Sequence, residues 1–354
     1  MKKIAICGTV GIPACYGGFE TLVENLTKVD GHKYEFVVFC SSKNYQEKMK
    51  HHNNAKLVYL PISANGLSSI LYDCVSLILS LVKRVDTILL LGVSGAMLIP
   101  FVRLFSPRTK VITNIDGLEW KRDKWSPLAK KFLKTSEFLA VKYSNDIICD
   151  NEAITNYVFE EYSIKPNTIA YGGDHVLGLI NKTGSIYNVP NCQYLSVCRI
   201  EPENNVEMIL EAFSLQQEKI TFVGNWENSA YGRRLKEQYS SFKNILLLDP
   251  IYDPDSLHKL RNSCTGYVHG HSAGGTNPSL VEIMFYGVNV IAYDCSFNRY
   301  TTENKAQYFE DVSGLLRVLS EKSHMLEEEN KSMKDIAVRK YTWEKIAKDY
   351  SNLY

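Results

Sequence analysis

Short apolar runs alternate with longer segments of helical periodicity along this chain. Strands are predicted at Lys3 to Cys7, Tyr34 to Cys40, Thr87 to Leu91, Lys110 to Asn114, Asp146 to Cys149 and Thr168 to Tyr171, with helices between them. A polar stretch then intervenes, "INKTGSIYNVPN", the best linker in the sequence. A second series begins with Tyr194 to Cys198, Thr221 to Val223, Asn244 to Leu247, Gly266 to His269 and Val290 to Tyr293. Runs that are apolar on both faces, separated by helices, are the pattern of parallel sheets in α/β domains. Two open, doubly wound sheets are therefore expected. One domain covers residues 1–175 and the other 190–339, with ligands outside the carboxyl ends of the strands.

The longest apolar stretch, "ILYDCVSLILSLV" from Ile70 to Val82, contains Asp73 and is too short to span a bilayer, so it is read as a buried helix. The apolar run in "MKKIAICG" is too short for a signal peptide and reads as an opening core strand. Composition sets a few further bounds. A length of 354 residues suits two domains. Forty Lys and Arg against 39 Asp and Glu leave a net charge of +1, so no global field points to nucleic acid. Nine cysteines, an odd number without a C-x-x-C pair, fit a reducing compartment and a cytoplasmic location.

The richest candidate chemistry lies in "HGHSAGGTNPSLVE", residues 269–282. It reads as a strand end, a loop with Gly274, Gly275 and Thr276, then a helix capped by Asn277 with Pro278 in its first position and running to Gly287. Such a helix start, with Ser279 and Leu280 behind the cap, favours a phosphate. Glu282, read as first-turn, is then left for ribose hydroxyls. A second glycine loop, "CGTVGIPACYGGFETLVENL", offers Gly17 and Gly18 for close backbone approach to a ligand, with a turn that merely needs positive φ as the lesser alternative. It lacks the G-x-G-x-x-G spacing, and no acidic residue ends the second strand, which weakens a nicotinamide reading.

In "TNIDGLEWKRDKWS", Asp116 stands at a strand end where a carboxylate can bind a sugar hydroxyl or take a proton, and an indole can cover a sugar's apolar face. Lys121 and Arg122 beside it read as surface charges. Arg199 leaves a strand end in "YLSVCRIEPENN", where it can meet a phosphate. Asp253 and Asp255 have D-x-D spacing but are explained as a helix cap and a first-turn acid. His269 and His271 find no third ligand by spacing, so no metal is expected.

Taken together, "CGTVGIPACYGGFETLVENL", "NIDGLEWKR", "RIEPENN", "HGHSAGGTNPSLVEIM" and the closing "YTWEKIAKDYSNLY" resemble retaining glycosyltransferases of the GT-B type, family 4, in the bacterial polysaccharide branch that includes rhamnosyltransferases. The resemblance implies two Rossmann-like domains facing across a cleft, the second holding a nucleotide-sugar, and a last helix over 340–354 that crosses back to the first. It implies that Gly17 and Gly18 face the donor phosphates, that Asp116 touches donor sugar or acceptor, and that Arg199 meets the diphosphate. The segment Gly274 to Leu280, with His271 ahead of it, would face phosphate, and Glu282 would be the second glutamate of an E-x7-E pattern. It also implies retention of configuration, no metal or other cofactor, a dTDP-L-rhamnose or UDP-sugar donor, and a saccharide or lipid-linked acceptor for capsule or exopolysaccharide synthesis.

The sequence departs from this pattern twice. Gly274 replaces the first glutamate, and Asn204 replaces the lysine that follows the arginine. A sugar-nucleotide epimerase of the same fold, a nicotinamide oxidoreductase and a catalytically silent sugar-binding module are the alternatives. A basic amphipathic helix in "SPLAKKFLKTSEFLAVKYS", with Lys130, Lys131 and Lys134 near Leu128, Phe132 and Leu133, reads either as an ordinary half-buried helix or as a peripheral contact with an anionic membrane, the second being what the resemblance implies.

Overall fold

The computed structural model describes residues 1–15, 17–66, 68–115, 117–121, 125–179, 192–321 and 326–354. The chain divides into two compact units, one of Met1–Tyr171 with Trp343–Tyr354 and one of Gly172–Thr342. The polar stretch read as a linker lies outside the described residues.

The first unit is built on β1 (Lys3–Cys7), β2 (Glu35–Ser41), β3 (His51–His52), β4 (Ala55–Leu60), β5 (Thr87–Leu91), β6 (Lys110–Ile115), β7 (Asp146–Cys149) and β8 (Asn167–Thr168). Their spatial order is β3-β4-β2-β1-β5-β6-β7-β8, parallel except for the β3–β4 hairpin at one edge. Alternate residues of the central strands serve opposite cores. Ile4, Ile6, Leu89 and Leu91 pack on one face with α1 (Gly18–Asp30), whereas Ala5, Cys7, Ile88 and Leu90 pack on the other. The second face is covered by α2 (Ser68–Val82), α3 (Ile99–Phe105) and α4 (Pro127–Tyr143), which contribute Tyr72, Leu77, Ile99, Val102 and Ala140.

The closing helix, Trp343–Ser351, belongs to this unit, as the motif resemblance implied. Trp343, Ile346, Ala347 and Tyr350 are buried against the face that holds Leu22 and Leu26 of α1. Two polar ties fix its register: Asn114 donates to Tyr350 Oη at 2.6 Å, and Ser351 donates to Asp30 at 2.6 Å.

The second unit carries β9 (Tyr194–Val197), β10 (Ile220–Val223), β11 (Ile245–Leu248), β12 (Gly266–His269), β13 (Asn289–Tyr293) and β14 (Gln307–Phe309). All pairs are parallel, in the order β11-β10-β9-β12-β13-β14. Renumbered within the unit this is 3-2-1-4-5-6, the doubly wound order whose direction reverses between the first and fourth strands. The reversal lies between β9 and β12, so the loops after these strands flank the crevice in which such a sheet binds ligands.

Three strands escaped the sequence reading: β3 is two residues long, β4 mixes Lys56 with apolar neighbours near the edge, and β14 is a short edge strand. The strand expected over Thr168 to Tyr171 is only Asn167–Thr168: Ile169 N still donates to Cys149 O at 2.9 Å, and beyond it the chain leaves the sheet as Ile169 and Tyr171 pack into the core that holds Trp343.

A larger correction concerns Ile70 to Val82. The segment is helical but not wholly buried. It turns Tyr72, Asp73, Ser76, Leu77 and Ser80 inward and leaves Leu71, Ile78 and Val82 58%, 52% and 72% exposed. Small residues are needed on the inner side because the helix lies close to the sheet. Their hydroxyls are satisfied within the helix, Ser76 donating to Tyr72 O and Ser80 to Ser76 O.

Burial pushes the Asp73 carboxyl up to about 8. A raised folded-state pKa means that the favourable protonated form is complete below the ordinary carboxylate range and is lost as pH rises toward 8. Asp73→Asn is therefore expected to stabilise the protein by on the order of 5 kcal/mol at pH 8 and by well under about 1 kcal/mol at pH 4. Urea midpoints at the two pH values check this, and an equal gain at both would exclude the buried charge as its cause.

Candidate functional site

The crevice loops of the second unit are held by several hydrogen bonds, two of them made by one side chain. Asn204, 3% exposed, donates from Nδ2 to the Arg199 carbonyl at 2.7 Å, and its Oδ1 lies 2.7 Å from His271 Nδ1. With the amide so oriented Oδ1 can only accept, so a neutral His271 ring carries its proton on Nδ1 and leaves Nε2 unprotonated. The neighbouring Asn205 donates to Gly270 O at 2.8 Å, and Ser272 N donates to Glu203 O at 2.9 Å. The loop after β9 is thus sewn to the loop after β12. This accounts for asparagine where the motif resemblance calls for lysine: the residue points into the protein and works as a pin.

Arg199 follows β9 with half its side chain exposed, its Nε 3.8 Å from Glu201. Behind the second loop stands His269, 2% exposed, whose Nε2 has no hydrogen-bond partner among the described residues. Burial first, and then the neighbouring His271, hold its pKa well below the ordinary histidine value, so it is a neutral core residue. At the start of the next helix Asn277 accepts from Ser279 N at 3.0 Å, as a cap should, while Leu280 N and Val281 N donate to Asn277 O. Among the described residues the N–H groups of Gly274, Gly275 and Asn277 donate to no backbone carbonyl. Gly274 has φ +134°, and a Cβ there would lie 2.8 Å from His271 Nε2. A glutamate at this position would therefore be strained in its backbone and would require the His271 ring to move.

Two details of this helix differ from expectation. It spans Pro278–Met284 and gives way to tight turns ending at Gly287, φ +63°. Glu282 is its fifth residue, beyond the first turn. Glu282 also has partners that no local pattern announces. Arg261, 5% exposed, donates from Nη2 to its Oε2, and His175 Nε2 lies 3.3 Å from its Oε1. Burial alone would raise this carboxyl, but Arg261 and then His175 hold it below the usual range. Each carboxylate oxygen still has a second lone pair for a hydroxyl donor. On the outer side of the network the Tyr286 hydroxyl meets His258 Nδ1 at 2.7 Å.

In the first unit the loop after β1 bends through Gly17, φ +111°, into α1, of which Gly18 is the first residue. A side chain at Gly17 would collide with the Glu20 carboxylate. Glu20, which the sequence did not single out, is 6% exposed and takes hydrogen bonds from Thr9 Oγ1 at 2.9 Å and Val10 N at 2.7 Å. Burial raises its pKa against the opposing effect of those bonds. It holds the glycine loop in shape from within.

Asp116 and Arg122 lie outside the described residues. Trp120, expected to offer a face to a sugar, instead turns inward and donates to the buried Glu137 at 3.1 Å. Glu137 also accepts from Tyr157 and Tyr162 at 2.7 and 2.6 Å. Lys134 sits among the rings of Trp120, Tyr157 and Tyr162, 4.8 to 4.9 Å from their centroids, with Glu161 at 2.9 Å. This lysine is committed within the protein and is not part of a lipid-facing stripe.

Asp253 caps its helix by accepting from Ser256 N at 2.9 Å. Among the described residues no group of three or more His, Cys, Asp or Glu side chains is arranged to hold a metal ion.

Residues 188–343 match the family model for glycosyl transferases group 1, and residues 1–174 match a domain of unknown function, DUF1972. No curated protein matches in sequence. Among solved structures, sucrose-phosphate synthase from Thermosynechococcus elongatus superposes with a TM-score of 0.79 at 14% identity, over 100% of this chain and 98% of that one. Anabaena HepE in complex with UDP and glucose gives 0.74 at 13%, over 99% of both chains. The catalytic domain of Arabidopsis thaliana starch synthase IV bound to ADP and acarbose gives 0.71 at 12%, over 100% and 98%. The second half of the chain thus carries a group 1 glycosyltransferase domain, and the whole chain has the two-domain α/β fold of GT-B glycosyltransferases.

Proposed function

We propose that this protein moves a sugar, L-rhamnose by preference, from a nucleotide-sugar to a saccharide or lipid-linked saccharide acceptor in bacterial capsule or exopolysaccharide synthesis. The observation that carries the donor side is the Asn204 pin. It ties the loop carrying Arg199 to the loop that carries His271 and, after it, Gly274, Gly275 and Asn277, in a unit that matches a glycosyltransferase family. Breaking the glycosidic bond places charge on the leaving diphosphate. Arg199, backbone dipoles and the helix start capped by Asn277 and followed by Ser279 and Leu280 would stabilise that charge without a metal. Thr276 lies on the same phosphate-facing loop.

Glu282 would take the ribose hydroxyls with its remaining lone pairs, fixed in direction by Arg261. Gly17 and Gly18 would approach the donor from the first unit, and Asp116 would position a hydroxyl of sugar or acceptor. Retention of configuration follows from the motif resemblance. HepE has been crystallised with UDP-glucose, which supports a uridine donor as the second choice. A cytoplasmic enzyme working on lipid-linked acceptors would meet an anionic membrane.

The donor is tested by thermal shift, because a ligand bound only by the folded state stabilises it by about 2.7 kcal/mol at a hundredfold excess over Kd. We expect dTDP and its rhamnose conjugate to raise Tm more than UDP, with EDTA present, and NAD to leave it unchanged. A shift with NAD alone would overturn the transferase reading. A preference for UDP would remove rhamnose and leave transfer standing.

A further inference from the structure

The first unit presents an apolar face that its own core does not explain. On α2 the inward side mixes Asp73, Ser76 and Ser80 with Tyr72 and Leu77, while Leu71, Ile78 and Val82 point outward, so apolar residues lie on the solvent side of the helix as well as on the sheet side. The adjoining α3 repeats the pattern, burying Ile99 and Val102 and exposing Phe101, Leu104 and Phe105 by 54%, 71% and 75%. The two helices touch, and α3 also touches α4, so these side chains belong to one surface. Single exposed apolar residues are ordinary, but six on adjoining helices mark a contact site.

We propose that the face formed by α2 and α3 docks on an anionic lipid surface. The flanking charges select this occupant. Lys83 and Arg84 follow α2, Arg103 lies on α3 and Arg108 follows it. The acids between residues 68 and 112 are Asp73, which is buried, and Asp86, which is exposed and accepts from Lys3 N at 2.7 Å. An apolar centre with a basic rim suits partial insertion between acidic headgroups. No helix among the described residues is long and apolar enough to cross a membrane, so the contact is superficial. The site differs from the basic helix marked by the sequence, where Lys134 is held inside the protein. The proposal draws its purpose from the lipid-linked acceptor but is tested without any acceptor.

The experiment is flotation of the full chain with vesicles of phosphatidylcholine alone or mixed with phosphatidylglycerol. The parent protein should float with the mixed vesicles, at least about tenfold less with the neutral ones, and progressively less as salt screens the charges. Phe101→Ser/Leu104→Ser/Phe105→Ser should reduce binding to mixed vesicles at least about tenfold while its thermal midpoint and its shift with nucleotide stay those of the parent. Should the triple variant lose its parental midpoint, Leu104→Ser and Arg84→Ser/Arg108→Ser are read instead, each with a partial loss expected. Failure of the parent to float, or variants that float like it, would overturn the proposal. So would a parent that is dimeric in solution and becomes monomeric with the triple substitution, which would assign the face to a second copy of the chain. Loss of nucleotide response with flotation intact would count against the donor assignment alone.

Discussion

Arg261→Met is expected to destabilise the protein by about 3 to 5 kcal/mol, because it leaves the buried Glu282 carboxylate without its main counter-charge. Arg261 is 5% exposed and the Glu282 side chain 13%, so water cannot replace the lost partner freely. Without Arg261, burial should lift the Glu282 carboxyl above its ordinary range. The loss is then largest where that carboxyl is forced to stay ionised, near pH 8, and shrinks as falling pH allows it to protonate. Adding Glu282→Gln to Arg261→Met should restore much of the stability by removing the stranded charge. Urea unfolding of the parent, both single variants and the double variant at pH 8 and pH 5.5 measures all of this. A loss below about 1 kcal/mol in the arginine variant would show the pair to be solvated and of little consequence.

Arg199→Ala should behave in the opposite way, folding normally and failing in catalysis. Its side chain is half exposed and its nearest carboxylate oxygen is 3.8 Å away, so little stability depends on it. A fixed positive charge aimed at a leaving diphosphate, however, is the kind of group whose removal lowers turnover by about 100- to 1,000-fold. Arg199→Lys should recover only part of that, because a point charge cannot reproduce bidentate contact with phosphate oxygens. Sugar transfer at saturating donor measures the effect. A fall of less than about fivefold for the alanine variant would remove Arg199 from the diphosphate site and leave that charge to backbone groups.

These two arginines separate what is local from what is not. Arg199 was found because a strand end followed by a basic residue is visible within a dozen positions. Arg261 lies in an ordinary helix, and its significance comes from a carboxylate 21 residues away. His175, which faces the same carboxylate, is more distant still along the chain, and Glu20 acts on a loop already chosen for its glycines. A buried pair of opposite charges leaves a weak signal in any short window, since each member alone reads as a surface residue.

The sequence by itself determined the α/β class, two series of parallel strands and most strand positions. Strands buried on both faces are continuously apolar, and helix starts such as Asn277-Pro278 carry their own chemistry in adjacent residues. The tertiary structure decided which way side chains turn once an element is placed. Trp120 went inward to Glu137, Asn204 became a pin between two loops, and Gly274 came so near His271 that a side chain there would require the ring to move. In α2 apolar residues occur all round the helix, so periodicity could not say which side meets the sheet. Close approach to the strands selected Ser76 and Ser80 for the inside and left Leu71, Ile78 and Val82 facing out.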